Sequence, residues 1–481
     1  MDVKLETKSI AEVEVDALVV LGFEGSAPTG PLGQLAKELY DSREFTGKSF
    51  ETTILHRPSG LKAKRLAWAG AGKPDKFTPA ELRKLAGAAL RCLKDKAIRT
   101  ICYVLDDPHR SDDFVSAVVE GAILGDFEPD QYKTDPSKNE KQVEWVSVLG
   151  GSQASIDRGR ILGESQNFTR ALANEPANVL TPTSLAERAR AMAAESGLEC
   201  EVLDQDRMTQ LGMGALLGVA QGSAEPPTLI IMRYRPAGSP TTKDHLGLVG
   251  KGVTFDTGGI SIKAADGMEK MKYDMSGGAA VLGAMRAIAR LKPSIAVTAL
   301  VPAVENMPGS RAQRPGDIVK TLLGKTVEVI NTDAEGRLIL IDALAYATRL
   351  GCTHLVDAAT LTGSIVVALG HVNIGAFTNN EEFLRRFMAS AKAEGEKVWQ
   401  MPLEEDYKEA LKTPFADLQN IGGRPGGSIT AAWFLSEFTE GKPWIHLDIA
   451  GTAWLDDAKP FMAKGPSGVA VRSFVRLAMD W

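Results

Sequence analysis

Residues 245–263 read HLGLVGKGVTFDTGGISIK. The first five residues form a short apolar run that reads as a buried strand, and Gly250, Gly252, Gly258 and Gly259 mark the turns that follow it. Residues 272–278, KYDMSGG, then lead into an apolar stretch from Ala279 to Leu291 that reads as a helix. A buried strand, a glycine-rich turn and a helix in that order is the signature of an α/β domain. Ligands of open α/β sheets bind beyond the carboxyl ends of the strands, so the chemistry is expected in these turns.

The same alternation extends outward in both directions. Upstream, Ala17 to Leu21, Arg65 to Ala69, Arg99 to Leu105 and Val143 to Leu149 read as strands. Thr78, Pro79 and Glu81 together read as a capped helix start with a capping box. A helical stretch from Ile156 to Leu172 ends at Asn174-Glu175-Pro176, and Ser184 with Glu187 offers a second capping box. Further strands are expected at 228–232, 245–249, 295–302, 326–330, 353–357 and 444–449. The expected fold is α/β with two domains. A smaller N-terminal α/β domain spans 1–152, a connecting helical segment 153–184, and a larger α/β domain with a mixed, mostly parallel sheet 185–481.

Composition narrows the function. The 481 residues carry 55 Lys+Arg against 61 Asp+Glu, a formal charge of −6, with 44% hydrophobic residues. That suits a soluble chain able to bury a large core, and without a basic stretch a nucleic-acid partner is not expected. Cys92, Cys102, Cys200 and Cys352 stand alone, so neither a disulfide framework nor a thiolate zinc site is written. The first residues do not read as a signal peptide, and no run of about 18 apolar residues exists to cross a membrane. A cytoplasmic location without membrane association is expected. The six histidines form no HExxH pair, so any metal must be held by carboxylates. Leu323-Gly324-Lys325-Thr326 lacks the earlier glycine of a phosphate loop, having Val319 there. Gly70-Ala71-Gly72 lacks the third glycine of a dinucleotide site, and no GxSxG elbow exists.

Three segments remain. The first holds Lys251, Asp256 and Lys263, the second Asp274, and the third, NTDAEGR at 331–337, holds Asp333, Glu335 and Arg337. Each acid has an ordinary reading: Asp274 and Asp333 as N-caps, Glu335 as a favourable charge at a helix start, and Asp256 as a turn residue. Arg337 weakens that account, because a cation in a first helical turn opposes the macrodipole and asks for an anion nearby. If the three segments end adjacent strands of one sheet, four carboxylates meet there. Two divalent ions would balance them, with magnesium, manganese or zinc suited to an oxygen-rich set.

These segments resemble the cytosolic leucyl aminopeptidase family, with NTDAEGRL at 331–338 the most specific. The resemblance runs from Asn174-Glu175-Pro176 through 245–370 to Gly363 and His446-Leu447-Asp448, and carries little of residues 1 to 160. It implies a metal-dependent leucyl aminopeptidase acting on peptides with a free N-terminus, apolar first residues preferred. Lys251, Asp256, Asp274, Asp333 and Glu335 would be ligands of two divalent ions, manganese or zinc and possibly magnesium or cobalt, with Lys251 as a neutral amine. Lys263 would face the substrate carbonyl and Arg337 would hold a bicarbonate general base for the attacking water. Met271, Thr360 and Gly363 would line the pocket for the first side chain, if they are not simply packing. The resemblance also implies a macro-domain-like first domain and a homohexamer. From the acidic set alone, a two-metal phosphoryl hydrolase and a non-catalytic or DNA-binding scaffold stay open.

Overall fold

The computed structural model describes residues 1–25, 32–136, 141–238 and 243–481. The chain forms two compact units, residues 1–167 with 456–465, and residues 168–455 with 466–481.

The first unit contains strands β1 (Asp2–Glu6), β2 (Ala17–Phe23), β3 (Thr52–His56), β4 (Arg65–Gly72), β5 (Thr100–Val104) and β6 (Trp145–Leu149). Its helices are α1 (Gly33–Ser42), α2 (Pro79–Lys94), α3 (Asp112–Asp126) and the beginning of α4 (Gln153–Asn174). The sheet order is β1-β6-β5-β2-β4-β3, parallel throughout except for the β3–β4 pair. Both faces are apolar because the strands alternate large residues on each side. Val19, Ala67 and Tyr103 pack under α2 and α3, while Leu18, Leu66 and Trp68 pack under α1. At the start of α2, Thr78 accepts the N–H of Glu81 at 3.3 Å, as the sequence suggests. The capping box does not close, because the Glu81 carboxylate pairs with Lys84 at 2.7 Å.

The second unit continues with α5 (Pro182–Ser196), β7 (Glu199–Leu203), α6 (Gln205–Leu211), α7 (Gly214–Ala220), β8 (Thr228–Tyr234), β9 (His245–Gly250) and β10 (Gly252–Asp256). After a 3-10 helix at Met268–Met275 come α8 (Ser276–Leu291), β11 (Ala296–Asn306), β12 (Ile318–Lys320), β13 (Thr326–Glu328) and α9 (Glu335–Arg349). The remainder is β14 (His354–Ala359), α10 (Gly363–Leu369), β15 (Ile374–Thr378), α11 (Glu381–Ala393), β16 (Val398–Gln400), β17 (Leu418–Gln419), α12 (Gly427–Ser436), β18 (Trp444–Asp448) and α13 (Val471–Met479). The main sheet runs β16-β15-β18-β14-β9-β11-β8-β7, with β10 pairing alongside β11. Its centre, β18, β14, β9 and β11, is parallel, and β8, β7 and β15 join antiparallel. Helix α8 lies on β9, β11 and β14, and α9 with α7 and α12 builds the apolar cluster around Val249 and Leu355. Gly277 explains how α8 comes so close: a Cβ there would sit 2.0 Å from the carbonyl oxygen of Ala358.

Two expectations need correction. Helix α5 begins earlier than Ser184 implies, because Pro182 supplies its first position and Thr181 caps it, closing a box with Ser184 rather than Ser184 with Glu187. The acidic segments also do not end three adjacent strands of one sheet. Strand β13 stops at Glu328 and belongs to a separate three-stranded sheet, β12-β13-β17, while Asp274 lies within the 3-10 helix. Among the described residues no helix is long and apolar enough to cross a membrane.

Candidate metal centre

The site is assembled at the carboxyl ends of the central strands by loops tied to one another. Asp256 ends β10, where a register shift between Val253 and Phe255 bends the strand. Its Oδ1 accepts from Gly258 N and from Asn306 Nδ2, both at 2.8 Å. Gly258 and Gly259 take φ of 87° and 65°, a left-handed turn that only glycine adopts cheaply. The turn is pinned to the third segment by Thr332, whose hydroxyl donates to Gly258 O at 2.7 Å and accepts from Ser261 N at 2.8 Å. Asp333 N donates to Asn331 Oδ1 at 2.8 Å, and Glu335 opens α9. Neither Asp274 nor Asp333 is a helix cap, since α8 and α9 are preceded by Met275 and Ala334 without a side-chain cap bond.

Oxygens of Asp256, Asp333 and Glu335 lie within 4.8 Å of one another. Lys263 Nζ lies 2.8 Å from Asp256 Oδ2 and 2.5 Å from Asp333 Oδ1. Lys251 Nζ lies 2.8 Å from Asp274 and 2.7 Å from Glu335 Oε1, and donates to Thr360 O at 3.0 Å. Thr360 also gives its hydroxyl to Asp274 Oδ1 at 2.7 Å. Four acids, two lysines and Thr360 therefore meet. Met271 is half-buried on the same 3-10 helix as Asp274, and Gly363 is an exposed glycine opening α10, with open space where a Cβ would project.

Crowding and burial set the charges. Burial, then Asp256, pushes Glu335 up to about 8 against the pull of Lys251. Burial also raises Asp274 and Asp333 despite Lys251 and Lys263 beside them. For Lys251 burial acts downward, but Asp274, Glu335 and Asp256 outweigh it and hold the ammonium above its ordinary value. Lys263 is held up likewise by Asp256, Glu335 and Asp333. Among the described residues the buried Glu335 Oε2 has no hydrogen-bond partner, and this convergence of carboxylate oxygens fits divalent metal ions.

Arg337, in the first turn of α9, is buried and gives Nη1 to Asn420 O at 2.7 Å. Among the described residues its buried Nε has no hydrogen-bond partner, which fits the anion that a cation in a first helical turn asks for. Burial lowers its pKa to about 10, opposed by Glu335 and Asp448.

Two residues without a role assigned from the sequence, Asn306 and Asp448, also shape the site. Asn306, the last residue of β11, also donates to Thr332 O at 3.0 Å and so bridges two acidic loops. Asp448, ending β18, accepts from Leu361 N at 3.2 Å and from the Thr362 hydroxyl at 2.7 Å, holding the turn that carries Thr360. A polar residue closing an apolar strand was the signal available for both.

The catalytic-domain model of the cytosol aminopeptidase family matches residues 167–475, and the family's N-terminal-domain model matches 27–136. A probable cytosol aminopeptidase of Solibacter usitatus is 61% identical over 486 residues, covering 100% of both chains. One from Koribacter versatilis is 49% identical over 513 residues with the same coverage. Among solved structures, a mutant of tomato leucine aminopeptidase superposes with a TM-score of 0.89 at 35% identity, covering 100% of this chain and 97% of that one. The bottromycin maturation enzyme BotP in complex with Mn gives 0.88 at 33%, covering 97% and 99%. These matches decide between the peptidase and the phosphoryl hydrolase that the acidic set alone left open. Both parts of the sequence match one family, and the chain belongs to the cytosol aminopeptidase family and is a metal-dependent aminopeptidase.

Proposed function

We propose that the chain removes the N-terminal residue from peptides with a free α-amine, preferring Leu, Met and other apolar residues, with two divalent ions and a bicarbonate ion as cofactors. The observation that carries the reading is the meeting of four buried or half-buried carboxylates with Lys251 and Lys263, beside an Arg337 whose Nε has no partner among the described residues. Lys251, Asp256, Asp274, Asp333 and Glu335 would hold the ions, and manganese is favoured by the Mn complex of the bottromycin enzyme. When bound, the ions supply Lewis acidity at the scissile carbonyl and at the attacking water.

The chain's own groups divide the remaining work. Asp274, braced by the Thr360 hydroxyl, would receive the peptide's α-ammonium, which is the feature that selects a free N-terminus. Lys263, held protonated by its acidic neighbours, would face the oxygen on which negative charge develops. Arg337 would hold bicarbonate through Nε, placing a proton acceptor beside the water and a donor for the departing amine. Lys251 would release its proton as the ions bind, since a ligating amine must be neutral. Met271, Thr360 and Gly363 would border the pocket for the first side chain. By the same family likeness we propose a cytoplasmic homohexamer.

Asp333→Asn tests the ligand set. Hydrolysis of Leu-p-nitroanilide is expected to fall to background while circular dichroism and melting show a folded chain, and a fully active variant overturns the assignment. Amides of different amino acids rank the pocket's preference, and activity in carbon-dioxide-free buffer with and without added bicarbonate tests the base.

A further inference from the structure

Asn420 follows β17 and is completely buried. Its backbone N–H extends the β13–β17 pairing by donating to Glu328 O at 2.9 Å. Every other hydrogen bond it makes goes to the segment carrying Asp333, Glu335 and Arg337. Side-chain Oδ1 accepts from Ile330 N at 2.8 Å and Asn331 N at 3.3 Å. Nδ2 donates to Asn331 O at 2.7 Å and Ala334 O at 3.4 Å. The main-chain oxygen accepts Arg337 Nη1 at 2.7 Å.

An asparagine amide offers two N–H groups and two lone pairs, and here one loop uses all four. Two N–H groups face one end of the amide and two carbonyls face the other, so only one of its two flips satisfies them. No other side chain reproduces this: Asp would turn an oxygen toward two carbonyls, and Ala would leave the loop's buried polar groups unpaired. The residue thus holds the path of residues 330–334 with its side chain and the guanidinium of Arg337 with its backbone. With Nη1 taken up in this way, Nε stays a buried donor with no hydrogen-bond partner among the described residues.

We propose that Asn420 is a positioning residue for Arg337, holding the guanidinium in the orientation that presents Nε to the anionic base. It makes no hydrogen bond to Asp256, Asp274, Asp333 or Glu335, and acts through Arg337. The proposal rests on the reading of Arg337 as the holder of that base.

The test is a double-mutant cycle on the metal-loaded full chain. Asn420→Asp and Asn420→Ala are each made alone and together with Arg337→Ala, and kcat and KM are measured with Leu-p-nitroanilide. Either Asn420 variant is expected to lose about 10- to 100-fold in kcat, the scale of a small misplacement of a catalytic group, with KM within about 3-fold. In the Arg337→Ala background the same change is expected to cost less than about 3-fold. Metal content by elemental analysis and the melting curve should stay near wild type, while the rise in melting temperature on adding bicarbonate should shrink. Asn420→Ala carries the test if the Asp variant does not fold. A kcat loss that multiplies with a harmful Arg337→Ala, or that follows loss of metal or of folded protein, overturns the assignment of Asn420. An Arg337→Ala variant with wild-type kcat overturns the reading beneath it and the positioning role with it.

Discussion

Gly336 stands between Glu335 and Arg337 in the first turn of α9, and its lack of a side chain keeps Lys251 in place. A Cβ built there would lie 2.5 Å from Lys251 Cε and 2.9 Å from Cδ and Nζ. Non-bonded carbons settle at about 3.5–4.0 Å, so in Gly336→Ala the lysine must retreat by about 1 Å. The backbone is no obstacle, because the position is helical and alanine is favoured over glycine in helices by about 0.5–1 kcal/mol. The lysine cannot retreat freely: its ammonium is fixed at 2.8 Å from Asp274, 2.7 Å from Glu335 and 3.0 Å from Thr360 O. Losing one or two such charged hydrogen bonds costs about 1.5–3 kcal/mol each, partly offset by the helix gain. The expected variant is folded, with a melting temperature lowered by a few degrees, and about 10²-fold less active. Steady-state hydrolysis of Leu-p-nitroanilide, metal content and thermal melting read the three quantities together. Wild-type kcat would refute the reasoning, and so would a collapse of stability, since that would mean the methyl group meets the helix packing instead of the lysine.

Two further outcomes follow from buried charge. Asp342 of α9 is fully buried and accepts Leu322 N at 2.8 Å on one oxygen and Leu216 N at 3.0 Å on the other. Asp342→Asn must turn an N–H toward one of those donors and is expected to cost about 1–3 kcal/mol in urea unfolding. Burial, against those backbone bonds, pushes Asp342 up to about 7 from its ordinary 3.8, so between those values the folded chain keeps a proton that the unfolded chain releases. Its contribution to stability is therefore complete below about pH 4 and lost as the pH rises through about 7. The difference in unfolding free energy between wild type and variant should fall across that window and level off above it, and a difference that rises instead would sink the account. Chelation should abolish activity and Mn²⁺ restore it, with the apo chain still folded because Lys251 and Lys263 pair with the acids. Saturating metal at about 1,000 times Kd should add about 4 kcal/mol to stability, visible as a higher melting temperature. An apo chain without a cooperative melting transition would contradict this.

What the sequence disclosed about the site follows from the range over which each residue acts. Asp256, Asp333, Glu335 and Arg337 stand out locally, through glycines that only a tight turn needs and a cation that opposes the dipole of its own helix. The apolar run at 245–249 and the Ser-Gly-Gly start of α8 are equally local, because burial on both faces and close approach to Ala358 O constrain residue type at those very positions. The start of α5 reads one turn late: Ser184 with Glu187 resembles a capping box, whereas Pro182 takes the first helical position and Thr181 is the cap. Strand β13 is different. A short alternating run states that it pairs, but its partner β17 lies some ninety residues later, so no local pattern could separate it from the main sheet. Asn420 acts at the same range, 90 residues from Ile330, and Asn306 reaches Asp256 across 50. In isolation Asn306 closes an apolar strand and Asn420 follows Leu418-Gln419, and either reads as a turn residue. Their identities are set by loops that approach only in the folded chain, so the groups that carry charge were readable one segment at a time, whereas those that aim the charge become visible only once the segments are brought together.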